Sequence, residues 1–305
     1  MSKSWLTPVV KKVSGVRKYS VGIAGQKTAV GKAESKVFSQ QEKLDEWKKK
    51  ESKYKKNRSY WEKGVQGLEA ELKRREQSLS NKETTLSQML VRETMYNQFD
   101  PLIKKWVDHY NGSLKPSTLL DPNIVKSILF QESRLGTSGE HLEKPPYSWS
   151  SSKKHPIRTK YNLGQAVDSP GPQQYLMIKE MAPSIYTKYK LDTLEKKAKW
   201  KGMSTAEYFS WNRGDFVKAL QEFFRKKIAS KKNLMGNTGK DLHTDYEFWI
   251  RVSVRWLFYK YFSLKKPSWS AAVKAYNGVG SAAAKYRAAV MARTGSKSTL
   301  EVGNK

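Results

Sequence analysis

From residue 34 to residue 98 the apolar positions recur at alternating steps of three and four. With Leu44 at heptad position a, the a sites are 44, 51, 58, 65, 72, 79 and 86. The d sites are 47, 54, 61, 68, 75, 82 and 89, and ten of the fourteen are apolar: Leu44, Trp47, Tyr54, Trp61, Val65, Leu68, Leu72, Leu79, Leu86 and Met89. A period of 3.5 held this long predicts a long helix with a narrow seam that packs on another helix. Glu51, Arg58, Arg75 and Lys82 interrupt the seam, and Gly64 and Gly67 are candidate points of division. A helical hairpin, a helix lying on the following domain and a coiled-coil dimer all satisfy the pattern. Before it, residues 1–33 hold no Asp or Glu and are rich in Gly, Ser and Lys, which reads as a flexible basic tail. The expected order is therefore a tail over 1–33, a long-helix region over 34–98 serving as spacer or docking segment, and a globular domain over 99–305.

Past Pro101 the pattern becomes that of a packed, mainly helical domain. In DPNIVKSILFQESRLG, Asp121 is a good N-cap, Pro122 suits the first helical position and Gly136 is a natural stop. Residues 137–161 hold three prolines and many serines, the composition of a long loop, and loops of that length in a compact domain are usually functional. Helical patterning follows near 172–190, 214–230 and 245–263, the last with Ile250, Val254, Leu257, Phe258 and Tyr261 on one face. SWSAAVKAYNGVG and SAAAKYRAAVMAR read as two short helices around a Gly-containing turn.

One carboxylate breaks this order. Glu132 projects from the same helical stripe as Val125, Ile128, Leu129 and Leu135. There an ionised group costs about 1–3 kcal/mol even when partly compensated. Two readings follow: a buried carboxylate satisfied by an arginine or backbone amides, or a general acid. Desolvation disfavours the charged form, so such a group retains a proton to donate, and glycoside cleavage needs that property because the leaving sugar oxygen must be protonated.

Bulk composition narrows the partners. The 305 residues carry 58 Lys+Arg against 28 Asp+Glu, a formal net charge of +30. That excess calls for an acidic polymer: nucleic acid, an anionic membrane or bacterial cell wall. The absence of cysteine excludes disulfides, thiolate zinc sites and a cysteine nucleophile. His109, His141, His155 and His243 form no HExxH or comparable cluster, so neither a metal nor another cofactor is expected. No run of 18 apolar residues occurs, and the N-terminus lacks the apolar core of a secretory signal. A cell-wall role would then require dedicated delivery or lysis.

FQESRLG resembles the catalytic-helix motif of the lytic transglycosylases and goose-type lysozymes, in which Glu-Ser follows an apolar helix. NLGQAVDSPG at 162–171 is an imperfect counterpart of the family's Gly-Leu-Met-Gln-like segment. AVKAYNGVG at 272–280 is close to its Ala-Tyr-Asn-Gly element, with Tyr286 and Val290 following where the family's next helix packs. The resemblance spans roughly residues 100–293. It implies a lysozyme-like helical catalytic domain with Glu132 as catalytic acid. It also implies Ser133 hydrogen-bonding near the substrate, Gln165 lining the cleft, and Tyr276 and Asn277 positioning glutamate and sugar from the opposite wall. Gln174 rivals Gln165, and Tyr276 also has plain core spacing with Trp269 and Val273. Asn277-Gly278 equally suits a simple helix stop.

Two chemistries share that scaffold. The lytic route uses one carboxylate and the substrate's N-acetyl group, leaving an anhydro sugar. The hydrolytic route adds a second carboxylate to activate water, for which Asp168, Glu140 and Glu143 are candidates and Asp168 is placed first. The implied substrate is peptidoglycan at its MurNAc-GlcNAc bond, with basic residues holding the enzyme on an acidic wall. An injected antibacterial effector or a lysin is implied, made in the cytoplasm and acting in the periplasm of a target cell. A secretion-apparatus carrier would engage residues 1–100 and an immunity protein would plug the cleft. The competing classes are a non-enzymatic nucleic-acid binder, suggested by WKKKESKYKKNRSYW at 47–61, and a structural or adaptor protein. Against nucleic acid, those aromatics occupy seam positions, and no zinc-finger, RNA-recognition or helix-turn-helix signature is present.

Overall fold

A computed structural model describes residues 15–137, 172–193, 246–295 and 299–302, with Lys196, Lys218, Ala219 and Glu222 as isolated positions. The described chain is mainly helical. It forms two compact units, Met1–Arg17 with Gln98–Lys297, and Lys18–Asn97 with Ser298–Lys305.

The second of these is a helical hairpin. Helix α1 (Ile23–Lys49) and helix α2 (Arg58–Asn97) are joined by a 3-10 segment, Glu51–Asn57. Their antiparallel course is fixed by side chains that reach the opposite backbone at successive levels. Trp47 Nε1 donates to the Trp61 carbonyl at 3.2 Å, and Trp61 Nε1 returns a bond to the Trp47 carbonyl at 3.0 Å. Gln40 Nε2 donates to Leu68 O at 3.3 Å and Gln26 Nε2 to Lys82 O at 2.9 Å. Of the three partners the heptad allowed for the seam, the chain supplies its own. All the a and d sites except Glu51 and Arg58 are at least half covered, including Arg75 and Lys82.

Two expectations are corrected here. The flexible tail over 1–33 does not hold for residues 18–33, because β1 (Lys18–Ser20) and the first turns of α1 occupy them. Val30 and Ala33 extend the buried stripe of Gln40 and Leu44 backwards by heptad steps, so acid-free composition concealed helical periodicity. Gly64 and Gly67 do not divide the helix either: α2 runs through both, and the chain reverses at 50–57, which contains neither Gly nor Pro. At the far end of the hairpin, β1 pairs in parallel with β2 (Thr299–Glu301), Tyr19 opposite Leu300. The Asn97 amide takes the Tyr19 N–H at 2.8 Å and gives to the Tyr19 carbonyl at 2.8 Å, replacing a third strand. Gly22, at φ 78°, makes the turn from strand to helix.

Gly64 has a packing reason. A Cβ there would lie 2.7 Å from two atoms of the Trp47 indole, whereas at Gly67 nothing lies within 4 Å. Gly64→Ala is expected to destabilise the hairpin by about 1–3 kcal/mol through overpacking, despite the helix propensity gained. Gly67→Ala should stabilise it by about 0.8–1.0 kcal/mol. Paired urea melts followed by circular dichroism check the opposite signs.

The other unit contains α3 (Asp100–Leu114), α4 (Pro122–Ser133), α5 (Pro172–Met181), α6 (Pro183–Lys188), α7 (Tyr246–Phe262), α8 (Trp269–Asn277) and α9 (Gly280–Ala292). Helix α7 is its centre, packed by α3, α5 and α8, while α4 lies against α3 and α9. The face expected to form the core does so: Ile250, Val254, Leu257, Phe258 and Tyr261 are all buried. So are ten of the twelve residues of α4. The Asp121 side chain accepts from Asn123 N, as expected of an N-cap. Tyr110 of α3 donates to Glu180 Oε2 at 2.9 Å, and Glu180 also pairs with Arg255, which ties α3, α5 and α7 together. Within α4 the fully buried Lys126 ammonium pairs with Asp100 at 2.7 Å and donates to Arg17 O at 2.7 Å. Apart from Thr137, the expected loop at 137–161 lies outside the described residues, as does nearly all of the expected helix at 214–230.

Candidate functional site

The last turn of α4 carries Glu132, half-buried, above a stripe of Val125, Ile128 and Leu129 that is almost fully inaccessible. Immediately after it the backbone enters the left-handed region for three residues in succession: Arg134 (φ 48°), Leu135 (φ 55°) and Gly136 (φ 81°). Two of these are not glycine, and such conformations persist only where the surroundings hold them. Leu135 is held by complete burial. The Ser133 hydroxyl holds the turn, donating to Leu129 O at 3.0 Å and accepting from Gly136 N at 3.1 Å. Ser133 itself is buried, so the hydroxyl assigned by resemblance to the substrate serves the end of the helix here.

Facing Glu132 is α9. Tyr286 donates its phenolic O–H to Glu132 Oε1 at 2.6 Å, a short charge-assisted bond. The helix is set by Val290, fully buried one turn on, and by Arg293, which donates to the Gln131 side-chain oxygen at 2.7 Å and lies over the Phe130 ring. Tyr276 reaches the same region from the last turn of α8, beside Ser253 of α7. Both phenols are pushed above the ordinary tyrosine range, first by burial and then by the negative charge of Glu132, with Arg293 acting weakly in the opposite sense on Tyr286. They therefore stay protonated through the neutral range and can only donate towards the carboxylate. Among the described residues the site is one carboxylate on a helix end, facing two neutral phenols.

The structure brings together Glu132 and Tyr276 of the residues singled out in the sequence. Asn277 is exposed at the end of α8, next to Gly278 at φ 121°. Gln165, Asp168, Glu140 and Glu143 lie outside the described residues, and Gln174 is on α5. Tyr286 entered the sequence reading as a packing residue, and its bond to Glu132 was missed. Its spacing of ten residues from Tyr276 put both aromatics on helices flanking the Asn-Gly turn, which was the available signal. Among the described residues no group of three or more His, Asp or Glu is arranged to hold a metal ion, and no helix is long and apolar enough to cross a membrane. Comparison with protein families, curated proteins and solved structures yields no match.

Tyr286→Phe isolates the phenol. A hydrogen bond to a charged group contributes about 1.5–3 kcal/mol, so the variant should lose stability of that order at neutral pH. The raised folded-state pKa gives the sign of the pH effect. Above the unfolded tyrosine value of about 10 the unfolded chain releases a proton that the folded one keeps, so stability falls as pH rises. That alkaline slope should be shallower in Tyr286→Phe, which urea melts between neutrality and about pH 11 would measure.

Proposed function

We propose that the unit bearing Glu132 is a lysozyme-like glycosidase that cleaves peptidoglycan at the MurNAc-GlcNAc bond, with Glu132 as the general acid. The observation that carries this reading is the Tyr286–Glu132 bond of 2.6 Å at the strained end of a buried helix. The phenol that donates to Glu132 is itself held neutral, so the bond orients the carboxyl and leaves it able to take up and deliver a proton. Tyr276, kept neutral by the same surroundings, is a positioning residue on the second side. In the protonated state Glu132 gives its proton to the leaving sugar oxygen as the glycosidic bond breaks. It then acts as base, either towards the sugar's own hydroxyl, leaving an anhydro end, or towards water with a second carboxylate such as Asp168.

The formal charge of +30 supports an acidic polymer as substrate, since basic groups outside the cleft would hold the enzyme on the wall. As an antibacterial effector or lysin it would act in the envelope of a target cell, with a carrier engaging residues 1–100 and an immunity protein covering the site. The test is digestion of purified peptidoglycan followed by mass spectrometry of the released muropeptides. Reducing-end fragments identify a muramidase, and anhydro fragments a lytic transglycosylase. No release from the wild type sinks the reading.

A further inference from the structure

The charge of the hairpin is not spread along it. Residues 18–97 carry 18 Lys+Arg and 11 Asp+Glu. Of that excess, residues 48–63 around the 3-10 turn hold eight basic and two acidic side chains, a net +6, and the remaining shafts are within one charge of neutral. All eight basic side chains at the tip are exposed. Lys49, Lys50, Lys53, Lys55 and Lys56 take part in no ion pair among the described residues, in contrast to Lys48 with Glu69 and Arg58 with Glu62.

Four aromatic rings share this end. Trp47 stacks on Tyr54 at 5.6 Å, and Tyr60 lies 6.0 Å from Tyr54 and 6.2 Å from Trp47. Trp61 completes the group, and both indole N–H groups are already used across the hairpin, so what faces outward is ring surface. Tyr60 is 56% exposed. Beside the rings is a depression of about 320 Å³ lined by Glu51, Ser52, Tyr54, Lys55, Arg58 and Trp61, which has room for a small anionic headgroup.

We propose that the hairpin tip docks on an anionic phospholipid surface. Lysines clustered with interfacial Trp and Tyr are what such a surface attracts, the cations meeting headgroup charge and the rings sitting at the water boundary. The shape of the charge favours a plane over a strand. The shafts do carry a basic group of their own, Lys32, Lys36, Arg75 and Lys82 around one depression. Their acidic residues nevertheless bring them to within one charge of neutral. A nucleic acid or wall polymer lying along them therefore meets little net charge, whereas a membrane meets the tip all at once. The inference rests on the hairpin alone and holds whether or not Glu132 is catalytic.

The test is co-sedimentation of the full chain with phosphatidylcholine vesicles, with and without about one third phosphatidylglycerol, at low and high salt. Binding is expected only with the anionic lipid and should weaken with salt. Lys53→Glu/Lys55→Glu/Lys56→Glu brings the tip from +6 to neutral. At roughly fivefold per lysine it should lower partition by at least about 100-fold. Reversing Lys265 and Lys266, exposed on the other unit, should cost far less. Tyr60→Ser should remove the salt-resistant fraction while leaving the low-salt binding. Circular dichroism establishes that each variant is folded. Equal binding to neutral vesicles, or an undiminished triple variant, overturns the proposal. So does a triple variant whose loss is confined to single-stranded DNA or peptidoglycan.

Discussion

Glu132→Gln is expected to lower muropeptide release from purified peptidoglycan by about 10²–10⁴-fold, the usual worth of a positioned general acid. The substitution suits the geometry. Glutamine keeps an oxygen where Glu132 Oε1 accepts the Tyr286 phenol at 2.6 Å, so the helix end and the facing α9 have no cause to move. What it lacks is the proton. Glu132→Asp should fail for a different reason, because shortening by one methylene withdraws the carboxyl from Tyr286 while leaving it titratable. Two inactive variants that remain folded by circular dichroism, with Glu132→Asp no less stable than Tyr286→Phe, would assign the loss to proton delivery and its placement. If Glu132→Gln releases muropeptides at the wild-type rate, Glu132 is structural and the glycosidase reading fails. The end groups from the wild type then decide the other half of the chemistry. Reducing ends make Asp168 the next residue to replace, and anhydro ends leave Glu132 acting alone.

How much of this was legible beforehand depended on the kind of interaction. Periodic burial was readable: the apolar stripe of α4, its Asp121 cap and the inward face of α7 follow from spacing alone. The heptad between Leu44 and Met89 also holds, but as the two sides of one hairpin. The reversal was hidden because residues 48–57 are Lys, Glu, Ser, Tyr and Asn without Gly or Pro. There the turn depends on the reciprocal Trp47–Trp61 bonds, a tertiary interaction that no local pattern announces. The start of α1 was hidden for the opposite reason, since its Gly and Ser content outweighed the Val30 and Ala33 periodicity. At the site, Glu132 betrayed itself by being a charge on an apolar face. Tyr286 did not, because an aromatic at core spacing reads as core until its hydroxyl is seen to have a partner.

Lys126→Met should have the largest effect on stability, about 3–5 kcal/mol, because it removes one member of a buried ion pair. Nothing in the sequence distinguished Lys126 from an ordinary helical lysine, yet its ammonium is wholly enclosed. It lies 2.7 Å from Asp100 at the start of α3 and 2.7 Å from Arg17 O. Methionine fills the space of the aliphatic stem but takes the Lys126 ammonium from the buried Asp100 carboxylate and its donor from the Arg17 carbonyl. With each kcal/mol worth about 2–4 °C in a unit of this size, the melting temperature should fall by roughly 6–20 °C. Since the chain forms two compact units, calorimetry can show which one responds. The transition of the unit containing α4 should move and that of the hairpin should not. Removing the Asp100 charge as well, in Asp100→Leu/Lys126→Met, should recover much of the loss, because a buried pair replaced by apolar groups is often neutral or better. A double variant no more stable than Lys126→Met would mean that the lost bond to Arg17 O dominates, and that the ammonium chiefly anchors the chain ahead of β1 to α4. Either result bears on Glu132, whose position depends on how firmly the helix beneath it is held.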